Sequence, residues 1–156
     1  MSKLIDLIEK PLSGEWGEED VNGTGTFVLR TTNFTNVGII SFENVVTRLI
    51  PEKKLKSKYL IEGDLLIEKS GGSPTQPVGR VVYFDGEPDT YTFNNFTSVL
   101  RIKNHQKVFS RFLFYVLFHY HKVGKTKSFQ NKTTGIINLK LDRYTKEIDI
   151  PLPPLE

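Results

Sequence analysis

The sequence predicts an α+β domain in which a twisted, mainly antiparallel sheet carries one buried helix. Three observations carry that prediction. Short runs of β-branched and aromatic residues recur between clusters of Gly, Pro, Asn and Asp, the alternation expected of strands and turns. One stretch, residues 108–122, sustains apolar positions at spacings of three, four and seven, the helical period. At 156 residues, with 38% apolar and 25% charged, the chain is long enough to bury a single core and has a globular composition. One domain over residues 1–156 is therefore expected.

Taken in order, the chain opens with a lead-in to about residue 22 that Pro11, Gly14 and Gly17 keep from forming a long element. Trp16 is expected to act there as a packing anchor, as large aromatics usually do. Residues 26–30 read as a strand, 36–38 as a turn and 39–42 as its hairpin partner. Residues 45–50 read as a further strand stopped by Pro51, and the lysine-rich residues 52–59 as one or two turns of amphipathic helix. Residues 96–103 form another strand, and residues 108–122 the one strong helix, with Gly124 as its stop. Beyond a polar loop, residues 136–141 return to apolar alternation, 141–147 suit a short helix, and 148–150 lead into a proline-rich tail.

Residues 63–84 form the segment around which the rest is arranged: two strands enclose a loop too rich in Gly and Pro to be either strand or helix. Gly71 and Gly72 permit backbone angles closed to other residues, and Pro74 and Pro77 stiffen the returning arm of the loop. A connection of this kind is often only a connection. The polar, basic residues 124–135 make a second candidate loop, in which lysines suit phosphates while hydroxyls and amides suit base edges.

Several pieces resemble one family in this order: TFVLRTTNF at 26–34, LIEGDLLIEK at 60–69, SGGSPTQPVGRVV at 70–82, FNNFTSVLR at 93–101 and IDIPLPPLE at 148–156. Together they resemble a target-recognition domain from the DNA-specificity subunit of a type I restriction-modification system. The resemblance implies a target-recognition-domain-like fold that reads one half of a bipartite site on double-stranded DNA through the major groove. It implies no catalysis in this chain. Companion methyltransferase and restriction subunits would bind S-adenosylmethionine, ATP and Mg, methylate adenine, translocate and cleave. A complete member carries two recognition domains and two spacer helices, so the following spacer helix and second domain are expected to lie outside these residues. The DNA-facing candidates are Lys69, Ser70, Ser73, Gln76 and Arg80 around the first loop, with Lys125, Lys127, Ser128, Gln130 and Lys132 on the second.

Other chemistries find little support. The absence of cysteine removes disulfides, thiolate nucleophiles and most zinc sites. Gly124-Lys125-Thr126 imitates the end of a phosphate-binding loop, but His119 stands where its first glycine should be. His119 and His121 lie about 200° apart around a helix and cannot chelate one metal from it. The longest apolar run, residues 112–118, is too short to cross a bilayer, and the first twenty residues lack the apolar core of a signal peptide. Cytoplasmic residence is expected. A net charge of +3 announces no nucleic-acid binder by itself, so the placement of the charges must decide. A DNA reader brings the two basic loops onto one face; the rival reading, a protein-interaction module, exposes an apolar patch there.

Overall fold

The computed structural model describes residues 1–133 and 136–153, without the side chains of Lys132 and Thr133. Along the chain run β1 (Ser2–Lys3), β2 (Leu12–Ser13), β3 (Glu18–Glu19), β4 (Thr26–Leu29), β5 (Val46–Leu49) and α1 (Glu52–Leu55). The middle comprises β6 (Leu65–Glu68), β7 (Ser70–Gly72), β8 (Val81–Tyr83), β9 (Tyr91–Phe93) and β10 (Thr97–Leu100). Then come α2 (Ser110–Lys122), β11 (Gln130–Thr133), β12 (Ile136–Leu139), α3 (Leu141–Glu147) and β13 (Asp149–Ile150). Tight 3₁₀ turns occupy Leu4–Asp6, Thr31–Asn33 and Lys125–Phe129.

The central sheet, in the order β2-β10-β6-β8, is antiparallel throughout and buried on both faces. Leu65 and Ile67 of β6 turn toward one core, which includes Leu113, Leu117 and Tyr120 of α2 and Tyr144 of α3. Leu66, between them, turns to a second core built with Leu29 of β4 and Phe93 of β9. Strands β8 and β10 divide their side chains in the same way, Val82 and Val99 to the second core, Val81 and Leu100 to the first. Period-two alternation explains why β6 and β8 read as apolar runs, because their side chains are buried on both faces. Burial of each such aliphatic side chain stabilises the fold by about 1.5–3 kcal/mol.

The α+β class and the buried helix agree with expectation, as does the stop at Gly124, whose left-handed φ of 84° ends α2. The single sheet does not: the strands fall into four small sheets, and β4 pairs with β9 in parallel. Nor does the expected hairpin form. Strand β4 pairs with β5, while Asn33 diverts the intervening chain by accepting from the Arg30 N–H and donating to the carbonyls of Ser41 and Asn44. The expected loop at 124–135 contains a 3₁₀ turn and β11, which pairs with β12, because Phe129 is buried and ties the segment to the core.

Candidate nucleic-acid interface

Strands β6 and β8 hold the first loop between them. At its base the Glu68 N–H donates to the Arg80 carbonyl at 2.9 Å, and the Gly79 N–H donates to the Glu68 carbonyl at 2.8 Å. At the tip, Ser73 and Gln76 exchange two backbone hydrogen bonds, and Ser73 Oγ accepts a third from the Gln76 N–H at 3.0 Å. Ser73 therefore shapes the turn that presents Gln76.

The returning arm docks on the end of α2. His121 Nε2 lies 3.0 Å from the Pro77 carbonyl, and Thr126 Oγ1 donates to the Val78 carbonyl at 3.4 Å. Gly79, at φ 99°, lies so close to Thr126 that an added Cβ would stand 3.1 Å from its side chain. These contacts bring the two candidate loops together. Between them lies an open cleft of about 380 Å³. Gln76, Pro77 and Arg80 form one wall, and His121, Lys122 and Lys127 face them. Thr35 and Asn36 close a third side, and among the described residues no carboxylate lines the cleft.

Arg80 is held from behind. Its guanidinium donates to both Glu68 carboxylate oxygens (3.4 and 3.0 Å), to the carbonyls of Thr31 and Phe34, and to Asn36 Oδ1 at 3.3 Å. Glu68 is 3% exposed, so the pair is a buried strut. Most of the Arg80 donors are committed within the protein, leaving Gln76, Lys122 and Lys127 as the freer groups, while Asn36 keeps only its amide N–H groups because its Oδ1 accepts from Arg80.

The family model for the type I restriction modification DNA specificity domain matches residues 2–156. The chain belongs to that family. A comparison with curated protein sequences returned no match. Among solved structures, the chain is similar to the S subunit of a type I restriction-modification system from M. genitalium, at 13% identity and TM-score 0.60. That match covers 93% of this chain and 32% of the other. A second similarity, at 16% identity and TM-score 0.65, is to a structure solved for the complex assembly and conformational transition of a type I R-M system. It covers 98% of this chain and 37% of that one. This specificity domain thus spans about a third of the length of the structures it matches.

The stretches that carry the family likeness prove structural in this specificity domain. Asn33 folds the 30–44 segment on itself, and Arg80 braces the first loop. Asp64 accepts two hydrogen bonds from Arg101, at 2.8 and 2.7 Å, and one from the Ile61 N–H. Hydrogen bonding to that carboxylate raises the Arg101 pKa.

The remaining candidates divide. Lys69 and Ser70 lie outside the cleft, in a shallow recess with Asn95, Phe96 and Asn138. Lys69 Nζ donates to Ser13 Oγ at 2.6 Å, and burial, with Lys58 adding repulsion, lowers its pKa. Ser70 donates to Asn138 Oδ1. Lys125 lays its ammonium 4.1 Å from the Tyr120 ring centroid, and exposed Ser128 donates back to the Lys125 carbonyl. Gln130 Oε1 is buried with no partner among the described residues, a position unsuited to a base edge. The Lys132 side chain lies outside the described part. Lys122, His121, Thr35 and Asn36 are not among the candidates that the sequence marks. One signal points to their neighbourhood: residues 90–141 hold nine Lys and Arg and all three His, without a single Asp or Glu. Among the described residues no group of three or more His, Asp or Glu is placed to hold a metal ion, and no helix is long and apolar enough to cross a membrane.

Proposed function

We propose that this domain reads one half of a bipartite site on double-stranded DNA, through the cleft between the 73–80 loop and the end of α2. The observation that carries this reading is the cleft itself, where two lysines and two amides converge and, among the described residues, no carboxylate stands to repel phosphate. The division of labour follows from chemistry. Lys122 and Lys127, as flexible point charges, contact backbone phosphates. Gln76 meets base edges in the major groove, where an amide can both donate and accept, and Asn36, whose Oδ1 accepts from Arg80, adds a donor beside it. Arg80 positions them; Lys125 and Ser128 lie just outside the cleft and extend the phosphate track. Companion methyltransferase and restriction subunits in the cytoplasm supply S-adenosylmethionine, ATP, Mg and all catalysis. Residues 1–156 form one reading unit.

Selection of bound duplexes from a randomised pool at moderate salt, with and without the methyltransferase subunit, tests this reading. Enrichment of one short motif is expected. No motif in either arm, with no salt-sensitive binding, overturns it.

A further inference from the structure

Among the described residues that line the cleft, His121 alone can gain or lose a proton near neutral pH. It stands one residue before the end of α2, where the Gly124 N–H donates to its carbonyl at 3.1 Å and fixes its backbone. Its ring is held as well, because Nε2 lies 3.0 Å from the Pro77 carbonyl on the returning arm of the first loop. A carbonyl only accepts, so Nε2 carries a hydrogen. In the neutral ring Nδ1 is then bare, and it has no hydrogen-bond partner among the described residues. Buried unpartnered side-chain atoms among those residues are confined to Arg30, Gln130 and Tyr144, so Nδ1 is reachable from solvent. The tie to Pro77 thus sets the tautomer, and the tautomer sets what the ring offers a ligand. Three cations share the cleft with it: Arg80 from the first loop, Lys122 from α2 and Lys127 from the 3₁₀ turn, while Thr35 and Asn36 bring no charge. The Glu68 carboxylate is buried behind Arg80 and bonded to it, so it does not compete for Nδ1.

We propose that His121 reads one base of the half-site through Nδ1, and that protonation of its ring reverses which kind of base it accepts. The neutral ring presents an acceptor, which matches an exocyclic amino group, N6 of adenine or N4 of cytosine. The protonated ring keeps its bond to Pro77 while Nδ1 becomes a donor, which matches a keto oxygen, O6 of guanine or O4 of thymine. No other group in the cleft behaves this way. Lysine only donates at these pH values, and the Gln76 amide offers a donor and an acceptor whatever the pH. Because Nε2 donates to Pro77 in both forms, the loop stays docked and only the ring's free nitrogen changes its preference. The inference rests on the proposed DNA reading and assigns one position within it.

The test is selection of bound duplexes by the full chain at about pH 8 and about pH 5.5, on either side of the ordinary imidazole pKa of about 6.5. His121→Gln is selected beside it: its amide N–H can still donate to Pro77, it gains no proton in that range, and His105 and His119 remain in place. The expected result is one base of the motif that changes, on one strand, from an amino base at the higher pH to a keto base at the lower, by about tenfold in relative enrichment. The motif of the glutamine variant should be the same at both. A nitrogen NMR spectrum of the free unmodified chain at about pH 8 should show the hydrogen on Nε2, and it decides with the unmodified chain's own pH shift should the variant unfold in a thermal melt. Four results overturn the inference: a motif in the unmodified chain that ignores pH; a pH shift that persists in His121→Gln; a neutral ring with its hydrogen on Nδ1; or tighter binding to all sequences at the lower pH with a salt slope steeper by about 1, which would make Nδ1 a phosphate contact. A motif that ignores pH fails this inference alone, whereas no motif and no salt-sensitive binding at either pH fails the proposed DNA reading with it.

Discussion

At the scale of single residues, the buried polar groups are the ones whose removal has a calculable outcome. Arg101→Ala leaves the Asp64 carboxylate, 1% exposed, without its main partner, and breaking one side of such a pair costs about 3–5 kcal/mol. A denaturant titration should show that loss. Tyr144 behaves oppositely. Its ring is fully buried and its hydroxyl has no partner among the described residues, so Tyr144→Phe removes an uncompensated group. A gain of about 1 kcal/mol is expected in thermal melts at neutral pH. Burial also raises the Tyr144 pKa above its ordinary 10.0. A raised folded pKa means the stability of the neutral phenol is complete below pH 10 and drains as the unfolded chain ionises above it. The phenylalanine variant should therefore lose stability less steeply above pH 10, and an identical alkaline profile would contradict the assignment. For DNA, Lys127→Ala should weaken binding to all sequences and reduce the salt slope by about 1, whereas Gln76→Ala should change preference at one base pair.

Among elements, the seat of α2 depends on Gly38. Its positive φ and contact with Phe114 leave no room for a methyl group, so Gly38→Ala should cost about 1–3 kcal/mol in a chemical melt. The elements are unevenly legible. Helix α2 is readable at 108–122 because its period is local, and it forms over Ser110–Lys122. Strands β6 and β8 are readable because double-sided burial makes their sequences continuously apolar. The partners of β4 are not, since both lie far along the chain and the decisive diversion is made by one amide, Asn33. Strand β11 escapes notice because its sequence, Gln-Asn-Lys-Thr, carries no apolar residue to reveal a period. In the cleft, both loops are visible from composition. Lys122 and His121 are not, because they are the last helical residues and read as a solvated end.

For the molecule as a whole, the modest net charge of +3 conceals a division: residues 1–89 carry −4, residues 90–141 carry +9 and residues 142–156 carry −2. Attraction to DNA should follow the central segment rather than the sum, and the double variant Lys122→Glu/Lys127→Glu should abolish salt-sensitive binding while a melt shows the fold intact. A second whole-molecule property arises from the pairing of β1 with β13, which Lys3 fastens by an ion pair to Asp149 at 2.8 Å. Because Ser2 pairs with Ile150, the chain entering β1 and the chain leaving β13 meet at the same end of that ladder. Tension between such flanking segments is carried across that two-residue ladder, which parts one bond at a time like a zip. The force path thus bypasses the central sheet, and a tug on the neighbours would fray the seam long before it disturbed the walls of the cleft.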